Sequence, residues 1–185
     1  MRRNSLKIYF NAPITLTFVA ICVGALILNI LTRGYTNDLI FSTYDAPLTD
    51  PLTFVRLICH VFGHADIDHL IGNMLYILLL GPILEDKYGT NLIFVILITA
   101  LVTGIIHNII APYSALLGAS GVVFAFILLA SFTGNSDGIP ITAILVAVLW
   151  LGGEVIDIFT VDSVSQMAHI IGGIVGAIMG FVLRR

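Results

Sequence analysis

Residues 14–31 and 92–106 run without a single charged side chain. Each run approaches the roughly 20 apolar residues that a helix needs to cross a hydrocarbon core. Composition agrees, since 58% of the 185 residues are hydrophobic and 10% charged, against about 25% charged in soluble domains. The expectation is an integral membrane protein. The net charge of −3 and the lack of a basic stripe argue against a nucleic-acid partner. Two cysteines form no disulfide framework, and Cys22, inside the first run, reads as a small hydrophobe. Basic residues precede that run, but it is too long for a signal-peptide core and no small-residue cleavage site follows. It reads as an uncleaved first span.

The pattern predicts six spans in one all-α membrane domain, residues 1–185. The first is 14–31, with Asn11 and Pro13 as start signals and residues 1–13 before it. A long connection, 32–67, carries its own apolar patch at 52–58 and reads as a segment lying at the interface. The second span is 68–84, closed by Glu85-Asp86-Lys87-Tyr88-Gly89, and the third is 92–110. The fourth, 120–132, would be only about 20 Å long, short of a core of about 30 Å. It must therefore start below one membrane surface. Residues 111–119 become non-helical backbone at membrane depth, tolerated only under protein cover or beside a wet cavity. The fifth span, 139–151, is also short and ends near Trp150, a residue suited to the interface. A polar loop, 152–165, leads to the sixth, 166–183.

Six spans put both termini on one side. Arg2, Arg3, Lys7, Lys87, Arg184 and Arg185 then share that side, leaving only Arg33 and Arg56 opposite, so the termini are expected to be cytoplasmic. Residues 32–67 become extracytoplasmic.

With this topology three polar spots share the outer half of the membrane. One is His60-x3-His64-x4-His69-x3-Asn73, the second Gly118-Ala119-Ser120-Gly121, the third His169-x2-Gly172-x3-Gly176. His69 and Asn73, four apart, lie on one helix face. His169, Gly172 and Gly176 share another face, and glycines four apart let a neighbouring helix come close. A histidine at the head of that stripe would meet its neighbour's side chains. Ser120 becomes a nucleophile if a neutral His169 takes its proton. The first N–H groups of the fourth span lack intrahelical partners. The N–H of Ser120, with the side chains of His69 and Asn73, could donate to a developing oxyanion. No carboxylate adjoins His169, so the pair is expected to act as a dyad. His60 and His64 could share a metal, but no third ligand is evident and they read as structural; no metal or other cofactor is expected. His107 reads as interfacial. The absence of His-Glu-x-x-His argues against a membrane metalloprotease.

The set Arg56-Leu57, His60, His64, His69-Leu70, Asn73-Met74, Gly118-Ala119-Ser120-Gly121 and Ala168-His169-x2-Gly172-x3-Gly176 resembles the rhomboid family of intramembrane serine proteases. The resemblance runs from about Pro51 to Arg185. It implies Ser120 as nucleophile, His169 as base, His69 and Asn73 in the oxyanion hole, and a six-helix rhomboid-like bundle. It implies transmembrane protein substrates cut in or near the bilayer, in the plasma membrane. Support would come from His64, Gly118, Gly121, Phe124, Gly172 and Gly176. Three departures stand out: Val55 precedes Arg56 where the family often has Trp, Leu117 replaces a glycine, and Phe124 replaces a frequent Tyr. Stacking of residue 124 on His169 survives, but a hydroxyl is lost. The alternatives are a non-catalytic relative that binds membrane-protein clients, and a transporter using the histidines as a proton relay. The latter is weakened because no acidic residue lies deep in an apolar span.

Overall fold

The computed structural model describes residues 9–133, 138–157 and 163–183, so Arg2, Arg3, Lys7, Arg184 and Arg185 lie outside the described residues. Every named element is helical, and the only strand-like pairing among the described residues is a single bridge between Thr43 and Leu116. The α-helices are α1 (Pro13–Leu31), α2 (Pro51–Cys59), α3 (Ile67–Tyr88), α4 (Asn91–Ile110), α5 (Ser120–Ala130), α6 (Ile141–Val146), α7 (Gly152–Asp157) and α8 (Ser163–Val182). Among the described residues, α1, α3 and α4 are long and apolar enough to cross a membrane. Shorter apolar helices cover Ser120–Ala130, Ile141–Leu151 and Gln166–Val182.

The outward face of α3 shows what solvent the fold is built for. Ile71, Leu75, Leu79 and Ile83, four apart, are 51%, 64%, 64% and 57% exposed. A continuous apolar stripe of that kind suits lipid and is untenable in water. Helix α5 is the opposite case. Residues 121–129 are all buried, so its apolar side chains face protein on every side, with α3, α4 and α8 around it. A helix apolar all round belongs in a centre.

Several boundaries differ from expectation. Helix α3 does not close at residue 84 but runs through the charged turn to Tyr88. The charges there have helical work to do. Glu85 accepts the backbone N–H groups of Ile14 and Thr15 at 2.9 Å each and the Thr15 hydroxyl at 2.8 Å. It thus satisfies orphan donors at the head of α1. Lys87 donates to the Thr133 carbonyl beyond α5. The fifth apolar segment also continues, through π geometry at Ala147–Leu151 into α7, where a polar loop was expected. Gly152 and Gly153 do not break it, since a helical glycine costs only about 1 kcal/mol. Helix α8 begins at Ser163, earlier than expected.

Residues 111–119 are non-helical, and α5 is short at 11 residues. Protein backbone covers the gap. Thr43 and Leu116 exchange both main-chain bonds, at 2.9 and 2.8 Å, and the Gly118 N–H donates to the His60 carbonyl at 2.9 Å.

Candidate active site

Ser120 is the first residue of α5 and half-buried, with Ala119 before it as cap. Its two flanks meet different helices. On one flank Gly118 adopts φ +126°, and an added Cβ would sit 2.8 Å from the His69 ring and 3.9 Å from Asn73 Nδ2. Only glycine tolerates both that backbone angle and that approach. On the other flank, a Cβ at Gly121 would lie 3.4 Å from the Ala168 carbonyl oxygen. A Cβ at Gly172 would come 2.1 Å from the Gly121 oxygen, and one at Gly176 would come 2.2 Å from the Ala125 oxygen. Backbones of α5 and α8 are therefore in contact along the glycine stripe, and the head of α8 adjoins the first turn of α5. The three polar spots meet around the backbone of Ser120.

Each side chain is held from its own element. Asp66 caps α3 by accepting the His69 N–H at 2.8 Å, which fixes the helix start at this point. Asn73, one turn on, is 7% exposed. Its Nδ2 is buried without a hydrogen-bond partner among the described residues. Such an orphan donor calls for an explanation, and a ligand oxygen is one. Phe124, one turn after Ser120, stacks flat on His169 with ring centroids 4.4 Å apart and 6° between planes. The stacking expected of the Tyr-to-Phe departure is present.

His64 packs edge-on against His69, with centroids 5.0 Å apart. Its Nδ1 faces the Phe62 carbonyl at 3.1 Å, and Asn37 donates to its own carbonyl at 3.0 Å. Burial first, and the charge on His69 second, push its pKa down to about 4. His60 does not join this group; it bonds the Ala100 carbonyl at 3.0 Å and is completely enclosed, which takes its pKa to about 4 as well. Among the described residues no cluster of three His, Cys, Asp or Glu could grip a metal. His107, expected at the interface, is 4% exposed and bonds the Ser114 carbonyl at 3.0 Å. Together with Thr43, paired side chain to side chain with Asn108, it anchors the loop that delivers Gly118. Sequence reasoning missed these anchors, because partners of a loop backbone carry no motif.

Residues 51–185 match the Rhomboid domain. The chain belongs to the rhomboid family. It is 34% identical over 140 residues to Rhomboid-related protein 1 of Caenorhabditis elegans, covering 69% of this chain and 39% of that protein. It is 28% identical over 174 residues to Rhomboid protease GlpG of Yersinia pseudotuberculosis, covering 91% of this chain and 62% of that protein. The same figures relate it to the Yersinia pestis protein of that name. The chain thus spans less than two thirds of these curated relatives' length. As a rhomboid with lipid-suited helices, it is an integral membrane protein.

Proposed function

We propose that this rhomboid is an intramembrane serine endopeptidase acting on membrane-protein substrates through a Ser120–His169 dyad. In the first step the Ser120 hydroxyl proton passes to His169 as Oγ bonds to the scissile carbonyl carbon. The carbonyl oxygen becomes an oxyanion, received by the Ser120 N–H and the side chains of His69 and Asn73. His169 then gives its proton to the departing amine, and water hydrolyses the ester left on Ser120 by the same route. The observation that carries this reading is the buried, unpartnered Asn73 amide beside Gly118, two residues from Ser120. A donor left unsatisfied at the head of a helix is what an oxyanion site requires.

The same reading takes residues 1–185 as one domain of six spans. The shorter apolar helices complete the three long ones, and α5 starts sunken below the outer surface. The N-terminal segment and the C-terminus are cytoplasmic, residues 32–67 lie at the extracytoplasmic interface, and the membrane is the plasma membrane. His64, Gly118, Gly121, Phe124, Gly172 and Gly176 support the site.

Reconstitution with a reporter transmembrane substrate tests the chemistry. Wild type should cleave it and take a fluorophosphonate on Ser120, whereas Ser120→Ala and His169→Ala should do neither. Asn73→Ala should lower turnover by roughly 10- to 1,000-fold with the fold intact. Cleavage by Ser120→Ala at the wild-type rate would sink the mechanism, whereas a wild type that binds the reporter but neither cleaves it nor takes the label would favour a non-catalytic client binder.

A further inference from the structure

Gln166 lies one turn before His169 on α8 and belongs to none of the motifs read from the sequence. Side chains three apart on a helix are neighbours. The Gln166 Oε1 is buried, and no donor reaches it among the described residues. A buried acceptor without a donor is costly, and its presence asks for a partner.

The packing of α8 on α5 says where that partner would come from. Gly172 abuts Gly121 and Gly176 abuts Ala125, so the two helices run parallel and in register. Helix α5 begins only at Ser120, whereas α8 has begun by Ser163. The first turns of α8 therefore stand beyond the head of α5. Gln166 is level with the non-helical residues that lead into Ser120. An open polar atom thus lies on each flank of the serine. Asn73 Nδ2 on α3 is a donor, and Gln166 Oε1 on α8 is an acceptor.

One donor and one acceptor match what a peptide backbone presents, a C=O and an N–H. A helical membrane segment keeps both bonded to itself. Presenting a carbonyl to Ser120 therefore requires a locally opened backbone, whose N–H groups need acceptors where water is scarce. We infer that Gln166 is a substrate-binding residue whose Oε1 accepts a main-chain N–H of the opened segment beside the scissile bond. This rests on the protease reading above. The apolar side chains of a membrane segment offer no donor, so the backbone supplies it.

A synthetic transmembrane reporter tests this on the purified full chain. In a set of variants of the reporter, each main-chain N–H flanking the cut, other than the scissile one, is replaced in turn by an ester oxygen. Gln166→Met keeps a similar length and removes the acceptor. It should lower kcat/KM on the all-amide reporter roughly 5- to 150-fold. Labelling of Ser120 by a small fluorophosphonate should be unchanged, because that probe carries no peptide N–H. At one position the ester should cost wild type a comparable factor and cost Gln166→Met nothing further. Equal ester costs in both enzymes at every position overturn the inference, as does wild-type kcat/KM in Gln166→Met. Slowed labelling with a lowered thermal midpoint in Gln166→Met overturns it in favour of a folding role. A wild type that neither cleaves the reporter nor takes the label removes the protease reading itself, a result distinct from each of these.

Discussion

At the scale of single residues, burial favours the neutral form of His64 and leaves the Asn73 amide unsatisfied. His64 is the clearest case. Its pKa is pushed down to about 4 in the fold from the ordinary histidine value of 6.5, so the unfolded chain binds a proton more readily than the folded one. The stabilisation is then fully present above pH 6.5 and is lost as pH falls through 4. Asp66 opposes the shift, and His69 adds to it. Burial acts on His60 in the same direction. Both histidines therefore contribute stability that is lost over the same pH window. The thermal midpoint in detergent should be level above pH 7 and decline from about pH 6.5 toward 4. His64→Asn, which retains a donor for the Phe62 carbonyl, should flatten roughly half of that decline. An unchanged slope in the variant would show that other groups control it.

At the scale of elements, the contact between α5 and α8 decides the geometry. Dispersion between helices falls off steeply with distance, and without side chains between them the two backbones reach contact. Gly172 has a carbonyl oxygen where a Cβ would go, 2.1 Å away, and backbone cannot rotate aside. Gly172→Ala should therefore push α8 off α5, with a cost of roughly 1–3 kcal/mol or more and loss of turnover. Gly24 in α1 is the control, since nothing lies within 4 Å of its added Cβ. Gly24→Ala should be neutral or stabilising by up to about 1 kcal/mol. Thermal unfolding of both variants checks this, and equal midpoints would remove the packing argument.

At the scale of the whole molecule, the proposed six spans place the loop holding Tyr113 outside and the turn at Thr90 inside. Tyr113 is fully exposed at 102%. On a background of Cys22→Ala and Cys59→Ala, an impermeant maleimide applied to intact cells should label Tyr113→Cys and leave Thr90→Cys unlabelled until lysis. The reverse pattern would invert the topology. Much of this was legible in the chain itself. Apolar run length located α1, α3 and α4 within a few residues, because hydrocarbon thickness imposes a length on any span. The shortfall after Ser120 marked 111–119 as non-helical, and the spacing of His69 with Asn73 and of Gly172 with Gly176 followed from helix periodicity. What the chain could not disclose were contacts between backbone groups and distant partners. Glu85 reads as the end of a span, yet it caps α1 and lets α3 continue. The Thr43–Leu116 bridge, the His60 carbonyl under Gly118 and the burial of His107 depend on which loop lies over which, and carry no periodicity. Residue types and spacing therefore determined the membrane class, the long helices and the side chains proposed to react, since each follows from local chemistry. Only tertiary structure decided the supports, namely the loop anchors and the α1 cap, because packing between segments far apart in sequence leaves no local signature.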